Sequence, residues 1–196
     1  MAKDYIKIID NFLSPKIEDF LVNLHTYGGF PWYFNPSTIG PDAEARGNAL
    51  DTSQFVHQSY DTNAGGVTSE AHKEYDPILN ALINANHLPK EYKISRCKSN
   101  FTYNTTGYQK QNHQPIHHDH PLPLHYSVLY YVNDSDGDTL FFSYEEKDKI
   151  VERVSPKKGR AIIFNSDRFH AGCNPIDSPY RIVVNFILIL DKPLES

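Results

Sequence analysis

A series of short strand-like segments in the second half of the chain most constrains its fold. The segments alternate with turn signals such as Gly137 and Gly159. They lie at residues 92–103, 126–132, 139–144, 150–154, 160–164 and 181–190. The 13 Tyr and 11 Phe of the chain also favour a sheet-rich core. A run of short strands predicts a β-sandwich or a barrel.

The first 90 residues have a different pattern, which favours helices and loops. Ser14 followed by Pro15 is typical of a helix start and predicts a helix over residues 15–26. Apolar residues at helical spacing predict a second helix around residues 78–83. Residues 31–66 are rich in turn-forming residues and predict loops. The strands expected in this half are short, at residues 5–10 and 53–57.

The length of the chain, 196 residues, suits one well-buried core better than two. We therefore predict a single domain over residues 1–196. In this domain residues 1–90 supply helical support and loops, and residues 91–190 form the β core that carries the functional site.

Composition excludes several classes of function. The formal charge is −5 and no basic run is longer than two residues, so we expect no binding to nucleic acid. The longest apolar stretch, residues 186–190, is far too short to span a bilayer, and the first residues lack the apolar core of a signal peptide. Only two cysteines occur, which suits a reducing compartment. We expect a cytoplasmic protein that does not contact membranes.

His117 and Asp119 form the strongest chemical signal in the sequence. Side chains at positions i and i+2 of an extended segment project to the same side, so these two can bind one ion. His170 follows a predicted strand by a short turn and is the candidate third ligand. Two imidazoles and one carboxylate leave three positions of an octahedral ion free, which is typical of non-haem Fe(II) oxygenases. Zinc more often takes four protein ligands, or three and water.

Arg181 opens the last apolar strand, which is an unusual position for a permanently charged group. A guanidinium within a buried strand pattern requires an anionic partner, and a carboxylate bound through two hydrogen bonds fits best.

Taken in order, these motifs resemble the Fe(II)/2-oxoglutarate-dependent oxygenases, and within them the prolyl 4-hydroxylase-like group. The resemblance covers roughly residues 95–190. The sequence differs from the family pattern at Asp138, where a second Gly is usual, and in a longer interval between Tyr103 and His117. The matching segments are residues 103–107, His117-x-Asp119, 130–133, 137–142, 159–164, 170–172 and Arg181.

The resemblance implies a mainly β protein with N-terminal helices and a double-stranded β-helix, or jelly-roll, core. It implies Fe(II) held by His117, Asp119 and His170, with 2-oxoglutarate as cosubstrate and O2 as the oxidant. The far carboxylate of 2-oxoglutarate is then expected to pair with Arg181 and with a tyrosine hydroxyl. The expected reaction is hydroxylation of an unactivated C–H bond in a small-molecule or peptide substrate, either an amino acid or a peptidyl, prolyl-like group.

Three further residues are assigned to the cosubstrate site. Adjacent residues of a strand face opposite sides, so only one of Tyr130 and Tyr131 can face the interior, and we choose Tyr130. Asn185 lies on the same face of its strand as Arg181 and is the second candidate. A structural role, in which its buried amide forms hydrogen bonds with backbone groups, is nearly as plausible. Tyr103 is the third candidate.

The remaining histidines of the segment, 113, 118, 120 and 125, receive no role, and alternation directs His118 and His120 away from the ligands.

One alternative function belongs to another class. A non-catalytic jelly-roll module could hold Zn²⁺ or Ni²⁺ through the same histidines, and it predicts no affinity for 2-oxoglutarate and no effect of Arg181→Ala. Within the superfamily, demethylation of nucleic-acid bases requires a second Arg six residues after Arg181, where Ile187 stands. Halogenation requires a small residue in place of the carboxylate ligand, and Asp119 is present.

Overall fold

The computed structural model describes residues 5–38 and 48–195. In these residues the chain forms two α-helices, two short 3-10 segments and eleven strands. The helices are α1 (Pro15–Thr26) and α2 (Asp76–Asn84), and the 3-10 segments are Thr62–Ala64 and Glu70–Tyr75. The strands are β1 (Ile6–Ile9), β2 (Tyr33–Asn35), β3 (Gln54–Asp61), β4 (Gly66–Val67), β5 (Lys93–Tyr103), β6 (His125–Tyr131), β7 (Thr139–Phe142), β8 (Ile150–Val154), β9 (Ala161–Asn165), β10 (His170–Gly172) and β11 (Tyr180–Ile189).

The strands form two antiparallel sheets. The large sheet has the order β1-β9-β6-β11-β5-β3-β2, with β4 paired to β3. The small sheet has the order β10-β7-β8. The long central strand β11 pairs with β5 on one side and with β6 on the other. This central position matters because alternate residues of these three strands form the floor of the candidate site.

Both faces of the large sheet are covered. One face packs against the helices, where Leu21 of α1 and Leu82 of α2 join Tyr130 and Phe186 in one buried cluster. On the other face, Leu129 and Val183 pack against Phe141 of the small sheet. Neighbouring residues of β6 therefore belong to different clusters, as the period of two requires.

The predicted elements are largely present. Helix α1 occupies the predicted range, and the predicted helical segment around residues 78–83 is α2, preceded by a 3-10 segment. The pattern missed β2, β4 and β10, which have only two or three residues and are too short to show alternation. The first 90 residues also contribute strands to the large sheet, since β1 pairs with β9 and β3 with β5. Of the predicted loop, residues 39–47 lie outside the described residues.

A buried histidine links the helical layer to the large sheet. The Nδ1–H of His25 donates to the Leu21 carbonyl (2.8 Å), and Nε2 lies 3.1 Å from the Ser99 hydroxyl and 3.0 Å from the Tyr75 hydroxyl. Burial lowers the pKa of His25 to about 4, so the imidazole is neutral at physiological pH.

None of the helices in the described ranges is long and apolar enough to cross a membrane.

Acid is expected to destabilise the fold through His25. The unfolded chain takes up a proton near the ordinary pKa of 6.5, whereas the folded chain resists it down to about 4. The contribution is thus fully present above pH 6.5 and decreases as the pH falls, by about 2 kcal/mol at pH 5. Urea unfolding at pH 7 and pH 5 should show this loss in the wild type and a smaller loss in His25→Gln. Equal losses in both proteins would contradict the assignment.

Candidate metal centre and active site

The structure brings His117, Asp119 and His170 together. His117 and His170 form an antiparallel bridge, in which the His117 N–H donates to the His170 carbonyl (3.0 Å) and the His170 N–H to the His117 carbonyl (2.8 Å). One side-chain N or O atom from each of the three residues lies within 4.8 Å of the other two. These atoms are close enough to share one ion. The bridge explains how residues far apart in sequence reach the same point.

Hydrogen bonds orient both imidazole rings. The Nδ1–H of His117 donates to the Pro115 carbonyl (3.1 Å), and that of His170 donates to the Arg168 carbonyl (2.9 Å). A carbonyl only accepts, so these contacts fix the tautomer and leave Nε2 of each ring as the ligand atom. Burial, together with His170, lowers the pKa of His117 to about 4. The His117 ring is therefore neutral at pH 7, as a metal ligand must be.

Three side chains hold the Asp119 carboxylate in place. The Ser127 hydroxyl donates to Oδ2 (2.7 Å), the Arg96 guanidinium donates to Oδ1 (3.1 Å), and the Asn185 amide donates to both oxygens (3.1 and 3.2 Å). Burial by itself would raise the pKa of Asp119, but the neighbouring His170 and Arg96 hold it well below its usual range. The ligand set is thus one carboxylate and two imidazoles, a donor set that suits Fe(II).

Arg181 is buried in the same pocket and has no acidic partner among the described residues. Its guanidinium donates to the Thr139 hydroxyl (2.9 Å) and lies 5.5 Å from the centre of the Tyr131 ring, while Nε has no hydrogen-bond partner. In residues 5–38 and 48–195 no Asp or Glu forms a salt bridge with it. A Cβ added at Gly137 would lie 3.0 Å from the Arg181 Cδ and 2.6 Å from the Cys173 carbonyl oxygen, so only glycine permits this packing. An unpaired buried guanidinium is a ready site for a ligand carboxylate.

The assignment of Tyr130 to the cosubstrate site is wrong. Tyr130 lies on the helical face of the large sheet, where its ring packs edge-on against Phe12 at 6.1 Å. Tyr131 lies on the opposite face of the sheet with Leu129 and Val183, and its hydroxyl contacts the hydroxyl of the pocket residue Thr139 at 2.6 Å, beside Arg181. Alternation correctly separated the two residues, but it could not tell which face was the inner one.

Substituting each tyrosine should separate their roles. Tyr131→Phe removes a hydroxyl beside the Arg181 guanidinium and should weaken 2-oxoglutarate binding about tenfold, which is the range for one hydrogen bond to a charged group. Tyr130→Phe is the matched control, since it removes a hydroxyl on the other face, and it should leave this affinity unchanged. Titrating 2-oxoglutarate into the iron-loaded variants measures both. The reverse pattern would contradict the assignment.

The other two assigned residues differ in outcome. Asn185 faces the pocket, where its amide contacts Asp119, so its observed contact is with the candidate metal ligand. Tyr103 does not line the pocket. Its hydroxyl is 2.7 Å from the Ser53 hydroxyl, and its ring contacts Phe55 on β3. The assignment of Tyr103 to this pocket is therefore wrong, because β5 turns Thr102 inward at that point.

The histidines left without a role lie outside the triad. His118 is exposed, as alternation predicted. His120 and His125 stack with their ring centres 3.8 Å apart. His113 is buried, with Nδ1 2.7 Å from the Gln114 carbonyl. In the described residues the triad is the one group of His, Cys, Asp or Glu close enough to hold an ion.

Strand β5 supplies pocket residues that sequence reasoning missed. The alternate residues Arg96, Lys98, Asn100 and Thr102 all face inward, and this polar alternation on a predicted strand was the signal that could have identified them. Burial and the nearby Arg96 lower the pKa of Lys98 to about 8, so its ammonium stays mainly protonated at pH 7. The pocket is lined by Thr38, Gln54, Arg96, Lys98, Asn100, Thr102, Gln114, His117, Asp119, Leu129, Thr139, His170, Gly172, Cys173, Arg181, Val183 and Asn185.

Comparison with known proteins agrees with this geometry. Residues 102–188 match the family model described as the 2OG-Fe(II) oxygenase superfamily. The resemblance predicted from the sequence motifs is confirmed at the level of this superfamily. The match implies Fe(II), 2-oxoglutarate and O2 as cofactors, and the donor set of the pocket fits them. No curated protein matches the sequence significantly.

Solved structures with similar folds include three prolyl hydroxylases. A viral collagen prolyl hydroxylase from Paramecium bursaria Chlorella virus-1, solved with 2-oxoglutarate, is 18% identical, with a TM-score of 0.55 over 96% of this chain and 97% of that one. A prolyl-4-hydroxylase from Pseudomonas putida is 16% identical, with a TM-score of 0.56 over 96% and 95%. A prolyl hydroxylase from Trichoplax adhaerens, in complex with a hypoxia inducible factor peptide fragment, is 20% identical, with a TM-score of 0.56 over 94% and 83%. These likenesses confirm the mainly β, jelly-roll fold.

Proposed function

We propose that this protein is a non-haem Fe(II)- and 2-oxoglutarate-dependent dioxygenase that hydroxylates an unactivated C–H bond of an amino-acid or peptidyl, prolyl-like substrate. The observation that carries the proposal is the combination, in one pocket, of the His117-Asp119-His170 triad with a buried Arg181 that has no acidic partner among the described residues. A triad alone would also suit a metal-binding module. The buried cation beside it requires an anionic ligand as well.

Each part of the pocket has a task in this reaction. The triad fixes three positions of the ion, and the hydrogen bonds from Ser127, Arg96 and Asn185 keep the carboxylate aligned. Arg181, with Thr139 and Tyr131, binds the far carboxylate of 2-oxoglutarate. Bound iron, 2-oxoglutarate and O2 supply the oxidising chemistry. The protein orients the substrate carbon toward the ion and limits the access of water.

The substrate class has indirect support. Two of the similar structures have names that refer to peptide substrates, collagen in one and a hypoxia inducible factor fragment in the other. These names support an amino-acid or peptidyl substrate for this chain, as part of the proposal. We also propose a cytoplasmic location, which the two free cysteines, Cys97 and Cys173, support.

The proposal is tested by loading the purified protein with Fe(II) under argon and titrating 2-oxoglutarate. A chelated keto acid should produce a visible charge-transfer band, and after admission of air the complex should form succinate. Iron bound without a band would favour the non-catalytic metal-binding module. No bound iron would contradict the proposed dioxygenase.

A further inference from the structure

A second group of cations, Arg96 and Lys98, lies away from Arg181. Both residues belong to the β5 side of the pocket floor, which we call the β5 wall. In the sheet register Lys98 is directly opposite Asn185, whose amide contacts Asp119, whereas Arg181 is opposite Thr102. Lys98 and Thr102 are four residues apart on β5, which corresponds to about 13 Å along the strand. Lys98 is therefore level with the triad, and Arg181 lies at the other end of the pocket floor.

The described residues satisfy the cations of the β5 wall only in part. Lys98 has no salt bridge with an acidic residue in the part of the chain that the structure describes. Arg96 donates one NH group to Asp119, but its Nε is buried without a hydrogen-bond partner. The side-chain amide of Asn100 also faces the pocket from β5, and it donates to the side-chain oxygen of Gln54 on β3 (2.8 Å). Such a wall offers several donors and unneutralised positive charge.

The positive charge of the pocket lining is not fully neutralised when the metal and the cosubstrate bind. Among the described residues, the lining contains three cationic side chains, Arg96, Lys98 and Arg181, and one acidic side chain, Asp119. Binding of a divalent ion adds two positive charges, and the 2-oxoglutarate dianion removes two. Two positive charges then remain on these lining residues, and an unpaired charge that is removed from water is costly. A substrate that carries negative charge would restore the balance.

We propose that Lys98, together with Arg96, recognises a carboxylate group of the primary substrate and holds it level with the triad. This inference rests on the proposed function and specifies its substrate class. The carboxylate belongs either to the α-carboxyl group of a free or C-terminal amino acid or to an acidic side chain in a peptide. In both cases the recognition is a charge-assisted hydrogen bond from the Lys98 ammonium.

The test uses the Fe(II)-loaded protein with 2-oxoglutarate under argon, titrated by calorimetry with matched neutral and anionic probes. N-acetyl-L-proline and its amide test recognition of an α-carboxylate. The amides of N-acetyl-L-aspartate and N-acetyl-L-asparagine test recognition of a side-chain carboxylate. We expect the anionic member of at least one pair to bind about tenfold or more tightly than the neutral member. In Lys98→Met this preference should disappear, whereas Lys93→Met, an exposed lysine on the same strand, should retain it.

The 2-oxoglutarate band separates the possible failures. A band with no carboxylate preference in either pair would overturn this inference and leave the proposed function standing. If Lys98→Met instead weakens 2-oxoglutarate binding as strongly as Arg181→Met, Lys98 serves the cosubstrate and the inference is also overturned. Absence of the band in the wild type would overturn the proposed function itself, and the inference with it.

Discussion

Removal of any triad side chain is expected to abolish iron-dependent turnover. His117→Ala, Asp119→Asn and His170→Ala each leave two strong ligands, and the aspartate variant also removes the one acidic side chain among the described residues that line the pocket. Loss of a residue that merely orients a ligand already costs about 10–100-fold in metal affinity. Loss of a ligand should cost at least that much, and turnover should fall below detection.

The control for this experiment is His118→Ala. His118 is adjacent to His117 in sequence but exposed, so it tests whether any histidine of this segment suffices. Iron content after gel filtration, succinate formation and thermal unfolding should be measured for all four variants. We expect normal iron content in His118→Ala, and folded proteins without iron in the triad variants. Full turnover in any triad variant would show that the residue is not a ligand.

The ligands could be predicted from sequence because their signal is local or simple. His117 and Asp119 are two residues apart, and alternation alone places them on one side. His170 required one further step, a predicted strand followed by a turn. The structure adds the element that completes the arrangement, the three-residue strand β10, whose bridge to His117 brings His170 to the pair. A strand of this length leaves no periodic pattern in a sequence.

The tyrosine assignments failed for a different physical reason. Every residue of β6 is buried, so exposure to solvent does not distinguish its two faces. Alternation then tells that Tyr130 and Tyr131 face opposite sides but not which side holds the pocket. On β5 the pattern is more informative, since the inward residues are polar or charged. Arg96 still could not be paired with Asp119 in advance, because such a contact between distant segments depends on the sheet register.

Arg181→Met is expected to weaken 2-oxoglutarate binding about 100-fold or more while iron binding persists. Methionine preserves much of the apolar stem but not the guanidinium, so the far carboxylate of the cosubstrate would enter a buried pocket without its cation. Truncating one partner of a buried charged pair costs about 2–5 kcal/mol, and about 2.7 kcal/mol corresponds to 100-fold in affinity. Arg181→Lys keeps the charge without the planar fork and should have an intermediate affinity.

A matched arginine variant shows whether this loss is specific. Arg153 is half-exposed and pairs with Asp138 at the surface, so Arg153→Met removes the same group outside the pocket and should leave 2-oxoglutarate affinity unchanged. Titration of the charge-transfer band in the iron-loaded proteins measures each affinity. If Arg181→Met binds 2-oxoglutarate as the wild type does, the buried guanidinium serves the fold through Thr139 and Tyr131 alone. The pocket would then have a metal triad but no anchored cosubstrate, as expected for the non-catalytic module.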